Sequence, residues 1–188
     1  MNITPDEPRW VGNVLDFWFQ EVGPRHWFAG GPAIDSQVRE RFLNLHETLS
    51  HERDESRQLA PRVALATILV LDQFSRHLFR DTRRAYSTDS LACGLARVAV
   101  ERGLDAGMSA DERQFLYMPL QHSENPVDQA LSVRLVRALG NDEWTRYAVE
   151  HRDVIEKFGR FPHRNAILGR ESTPAEREAI AAGAVASW

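Results

Sequence analysis

The chain is punctuated for helices from end to end, and nowhere does it alternate apolar and polar residues with the period of two that a strand requires. Pro8 opens a segment whose Trp10, Val11, Val14, Leu15, Trp18 and Phe19 share one face. Ile34, Val38, Phe42, Leu45 and Leu49 step by three or four, and that helix fades into the polar run His51 to Gln58. Pro61 suits a first helical turn and starts a third helix that reaches about Phe79. Thr88 is the expected cap of a fourth, with Leu91, Leu95 and Val98 inside. Ser109-Ala-Asp-Glu112 reads as a capping box, and Pro119 must bend or stop the helix it starts. Asn125-Pro126 opens the next, with Leu131, Leu135 and Leu139 turned inward. Asn141 or Asp142 caps another that ends at Gly159, and Thr173-Pro-Ala-Glu176 is a second capping box.

Seven to nine helices joined by short loops predict an all-α fold, an antiparallel helical-hairpin stack or bundle. No internal period is strong enough to establish a repeat array. At 188 residues the chain fits one domain over 1–188, with a core over about 8–180. A formal net charge of -4 speaks against nucleic acid or an anionic membrane as a partner. The apolar stretch Val63 to Leu71 is too short to span a bilayer, so it reads as a buried helix. Cys93 stands alone, which excludes an internal disulfide and fits a reducing compartment; the N-terminus lacks the pattern of a signal peptide, and a cytoplasmic location is expected. Of 23 basic residues, all but Lys157 are arginine. A bias that uniform makes one arginine weak evidence for an anion site, and only clusters count.

Three segments hold most of the unusual polar residues. Asp72, Arg76 and Arg80 fall at i, i+4 and i+8 on an otherwise apolar helix, where polar groups must pair or line a cleft. His122, Ser123 and Glu124 follow the break at Pro119. His151 precedes Arg160, His163 and Arg164, which sit where one helix ends at Gly159 and another begins after Pro162. A helix start beside two arginines suits an anion. Each set also has a plain structural reading: an Asp72–Arg76 pair fixing helix packing, Ser123 or Asn125 as a cap, and Arg160 on terminal carbonyls. His122 and Glu124 lack a third metal ligand at regular spacing, so neither metal nor other cofactor is expected.

These segments also carry a resemblance. Asp72-Gln-Phe-Ser-Arg76, the run Glu112 to Glu124, Asp128-Gln129, and Phe158-Gly-Arg-Phe-Pro-His-Arg-Asn165 followed by Leu168-Gly-Arg170 resemble the bacterial domain-of-unknown-function 924 family. The likeness runs from about Trp10 to Thr173, with Ser75 and His77 departing from the Pro and Asn expected there. It implies a tetratricopeptide-like all-α fold and supplies no activity.

The leading expectation is a binding protein whose concave side is lined by Asp72, Arg76, Arg80, His122, Glu124, His151, Arg160, His163 and Arg164. Its ligand would be an anionic small molecule or an acidic peptide end. The alternatives are a hydrolase using His122, Glu124, His151 and His163 as acid, base or metal ligands, and a protein–protein adaptor using surface aromatics such as Trp27 and Trp188.

Overall fold

Every stretch with three- and four-residue apolar spacing is helical in the computed structural model, which describes residues 7–29, 31–51 and 60–185; no strand occurs among them. Most of the polar run ending at Gln58, and all of Trp188, lie outside the described residues. None of the described helices is long and apolar enough to cross a membrane. The chain divides into two compact units, residues 1–80 with 84–119 and residues 81–83 with 120–188.

In the first unit, α1 (Arg9–Asp16) runs on through a π-helical turn, Phe17–Val22. α2 (Pro32–His51) follows, then α3 (Pro61–Ile68), which passes through a second π-helical turn, Leu69–Phe74, into α4 (Ser75–Leu78). α5 (Asp89–Glu101) and most of α6 (Ala110–Gln121) complete it. Residues Val63 to Ile68 are buried all round, as a helix apolar on every face must be. α3 packs between α1 and α5, and α2 packs on α4 and the second π turn. Trp18 holds the centre. Its ring meets Phe74 at 5.6 Å and Phe115 at 5.4 Å between centroids, in tilted and edge-on geometries that favour aromatic pairs. Trp27 is not a surface aromatic: it is 6% exposed and its Nε1 donates to the Trp18 carbonyl at 2.8 Å.

The second unit holds α7 (Pro126–Arg137), α8 (Asp142–Phe158), a 3-10 turn at Pro162–Arg164, α9 (Asn165–Leu168) and α10 (Pro174–Ala181). α7 and α8 pack side by side through a short connection, which makes them an antiparallel pair. Asn125 caps α7 by accepting from Val127 N, and Asn141 caps α8 by accepting from Trp144 N. Gly159, in the left-handed conformation at φ 68°, ends α8 where a side chain would be strained. Val154, Ile155, Phe161, Ala179 and Val185 form a core cluster.

Two local expectations need correction. Thr88 precedes α5 but does not cap it; its hydroxyl donates to the Leu71 carbonyl at 2.6 Å, a tertiary partner outcompeting the local one. Leu131, Leu135 and Leu139 are only half-buried; the inward face of α7 carries Gln129, Ser132, Val133 and Val136. α6 ends at Gln121, two residues past Pro119, in keeping with the stop expected near that proline, and the boundary between the units falls within it.

Candidate functional site

Asp72, Arg76 and Arg80 belong to the first unit, and the other six candidate residues to the second. Asp72 is fully buried on the π turn, and Arg76 Nη1 reaches both its carbonyl at 2.5 Å and its carboxylate at 3.2 Å. Arg76 is also paired with Asp89 through both terminal nitrogens, each at 3.2 Å. Arg80 does not join this stripe. The helix ends at Leu78 after a turn of non-standard pitch, and Arg80 turns instead to Asp35 of α2, with two bonds of 2.8 Å. His77 Nδ1 lies 2.7 Å from the same carboxylate. Burial pushes the His77 ring below its usual pKa against the pull of Asp35.

In the second unit the break after α6 and the turn after α8 share a network. The Glu124 carboxylate accepts Phe161 N at 2.8 Å and both terminal nitrogens of Arg170, at 2.7 and 2.9 Å. Burial works to raise its pKa, but the Arg170 and Phe161 hydrogen bonds win and hold it below the ordinary value. Arg170 reaches on to the Phe161 carbonyl at 3.1 Å and to Asn165 Oδ1 at 2.9 Å. Arg160 grips Glu176 through two bonds of 2.6 and 2.8 Å, and this pairing lowers the Glu176 carboxyl to about 2. Glu176 also closes the Thr173 capping box at the start of α10. Thr173→Ala is therefore expected to lower stability by about 1 kcal/mol in a urea titration, the ordinary worth of a side-chain cap.

Phe161, fully buried, is the hinge of the imidazole cluster. Its ring lies 5.7 Å from His151, 5.6 Å from His163 and 4.4 Å from the Arg164 guanidinium. His122 and His151 stand 6.2 Å apart. Arg164, only 7% exposed, donates from Nη1 to the His122 carbonyl at 3.1 Å. His151 Nδ1 contacts the Tyr147 carbonyl at 2.8 Å. Burial, then the neighbouring His122, drives His151 down to about 3; burial, then Arg164, drives His163 to about 4. Both rings are neutral at pH 7. Ser123 Oγ donates to the buried Asp128 carboxylate at 2.6 Å and accepts Asn125 N at 3.2 Å, which makes it a turn-forming hydroxyl. Among the described residues no three of His, Cys, Asp and Glu come together as metal ligands.

A family model described as "Bacterial protein of unknown function (DUF924)" matches residues 14–184. The chain belongs to that family. No curated protein matches. A solved structure of a protein of unknown function, ATU0120 from Agrobacterium tumefaciens, is 39% identical, with a TM-score of 0.86 over 91% of this chain and 96% of that one. The functional reading of this DUF924 member therefore rests on its geometry.

Several residues of the network were not singled out from the sequence. Asp35, Asp89, Asp128, Phe161, Asn165, Arg170 and Glu176 each hold a candidate residue or its neighbour. Phe161, Asn165 and Arg170 lie inside the quoted motifs, so the motif boundaries were the available signal. Asp128 lies in one as well, and Glu176 closes the Thr173 capping box; Asp35 and Asp89 carry no such signal, because their partners Arg80 and Arg76 lie on other segments.

Proposed function

We propose that this protein binds a carboxylate, of a small acid or of an acidic peptide end, at His122, His151, His163 and Arg164. The observation that carries the reading is Arg164, buried against the Phe161 ring and the His122 backbone, beside two imidazoles held neutral. A guanidinium stacked on an aromatic face is oriented for bidentate carboxylate recognition, and a neutral His163 adds one N–H donor, while His151, whose one N–H is committed to the Tyr147 carbonyl, lines the site uncharged. A single carboxylate group, with one charge, also costs less to desolvate there than a doubly charged phosphate group. Glu124 and Arg160, matched by Arg170 and Glu176, hold the turn in place. Asp72, Arg76 and Arg80 are matched within the first unit and take no part in this site. The paired α7 and α8 support a tetratricopeptide-like presentation of this face, and lone, buried Cys93 supports a cytoplasmic setting.

The test is calorimetric titration with succinate and with a blocked dipeptide ending in Glu. A charge-assisted hydrogen bond is worth about 1.5–3 kcal/mol, so Arg164→Gln is expected to weaken binding roughly ten- to hundredfold, with Arg164→Lys intermediate. Bound anion should also raise the His163 pKa from about 4, read from its ring carbon signals by NMR. Equal affinity in wild type and Arg164→Gln would sink the reading.

A further inference from the structure

The first unit holds a polar cavity, of about 370 Å³, between the last turns of α2, the turn at Arg84 and the start of α5. His46, Glu47, Ser50, Arg84, Ser87 and Ser90 form much of its wall. Three features of that wall point to a ligand. His46 is 1% exposed, yet neither ring nitrogen has a hydrogen-bond partner among the described residues. A buried polar group left without a protein partner costs stability unless water or a ligand supplies one, and His46 borders the cavity from which either would come. Next, α5 is a 13-residue helix whose N-terminus has no side-chain cap, because the Thr88 hydroxyl is spent on Leu71. Its first-turn residues Ser90 and Leu91 reach the cavity, so the positive end of the helix faces it. Finally, Arg84 lies 3.9 Å over the Phe79 ring and gives Nη2 to Glu47 at 2.5 Å. A guanidinium has five N–H donors, so one bond to Glu47 leaves the fork able to take an anion.

We propose that this cavity binds a small phosphate monoester that also carries hydroxyl groups. The helix start and Arg84 recognise the phosphate, as helix N-termini and guanidinium groups do elsewhere. Two carboxylates stand nearby, and both are matched: Glu47 by Arg84, and Asp89 of the first turn by Arg76. The hydroxyl groups of the ligand follow from the serines. Ser50 Oγ donates to the Glu47 carbonyl at 2.8 Å and Ser87 Oγ to the Arg84 carbonyl at 2.9 Å, so their protons are committed and their oxygens act as acceptors. A neutral His46 adds one donor and one acceptor. Phosphate alone would use the first half of this wall, and a neutral polyol the second; a phosphorylated polyol uses both.

The test is NMR titration of the full chain with glycerol 3-phosphate, inorganic phosphate and glycerol, in saturating succinate so that the carboxylate site is occupied. Expected are shifts of the His46 ring nitrogens and the Ser90 and Leu91 amides. Glycerol 3-phosphate should bind at least tenfold tighter than phosphate, and glycerol not at all. Ser90→Asp should weaken binding at least tenfold while leaving the melting temperature unchanged or higher, since a carboxylate suits a helix start. Arg84→Gln, an exposed position, should weaken it similarly. Silence at His46 and Ser90, or unchanged affinity in Ser90→Asp, overturns the site. Equal affinity for phosphate and glycerol 3-phosphate overturns the choice of ligand.

Discussion

Between pH 7 and pH 5 this protein is expected to lose about 3 kcal/mol of folding stability, well before its carboxylates begin to protonate. His151 and His163 titrate at about 3 and about 4 in the folded chain, chiefly because burial disfavours the charged ring. In the unfolded chain each titrates near 6.5. Their contribution is therefore fully present above that value. It drains away as the pH falls, because the unfolded state takes up protons that the folded state refuses, with a slope of about 1.4 kcal/mol per pH unit for each histidine. The window from 6.5 to 5 gives about 2 kcal/mol per ring, reduced here because the two rings share a cluster with His122 and His163 is half-exposed. His46 and His77, also lowered by burial, act with the same sign. Glu124 and Glu176 are shifted below the usual carboxylate range, so what they contribute is lost only at more acid pH. Urea midpoints at pH 7 and 5 test the expectation, and His163→Gln should flatten the dependence. Identical midpoints at the two pH values would show that these rings titrate normally.

The elements most legible in the sequence are those whose signal is local. The capping boxes at Ser109 and Thr173 and the caps Asn125 and Asn141 form where the spacing places them, because donor and acceptor lie within three residues. Thr88 shows the limit of that reasoning: Leu71 lies 17 residues away, and no local pattern announces that its carbonyl is the better acceptor. The π-helical turn at Leu69–Phe74 was equally silent, and it upset the stripe drawn from Asp72 through Arg76 to Arg80 at ordinary helical pitch.

The candidate site divides along the same line. His122, His163 and Arg164 stand out at helix breaks and His151 on the helix before one, and the second unit does bring them around Phe161. Arg160 and Glu124 were nominated beside them, but their charges are matched by Glu176 and Arg170, 16 and 46 residues away. Arg80 is likewise matched by Asp35, 45 residues away. Side-chain type and neighbourhood mark where polar chemistry gathers. Which charge cancels which is decided by tertiary contacts that no spacing encodes.

Phe161→Ala is expected to cost about 3–5 kcal/mol, the usual penalty for emptying a fully buried phenylalanine site. The ring packs with Val154, Ile155, Ala179 and Val185, and it carries the faces of His151, His163 and Arg164. Its backbone is pinned separately, N to Glu124 and O to Arg170, so the turn keeps its hydrogen bonds when the side chain is cut. The cavity left behind opens beside polar rings, where water has hydrogen-bonding partners and can enter. Burial is the first cause of the low pKa of both histidines, so hydration of that space should move each back towards 6.5. The variant should accordingly be less stable at pH 7 and also less sensitive to acid, two effects that one packing defect links. Phe161→Leu, which keeps most of the volume, should lose about 1 kcal/mol and retain the acid sensitivity. Urea titrations at pH 7 and 5, with ring signals followed by NMR, separate the outcomes. A Phe161→Ala protein that is destabilised yet keeps the wild-type pH dependence would show that something other than this ring keeps the histidines dry.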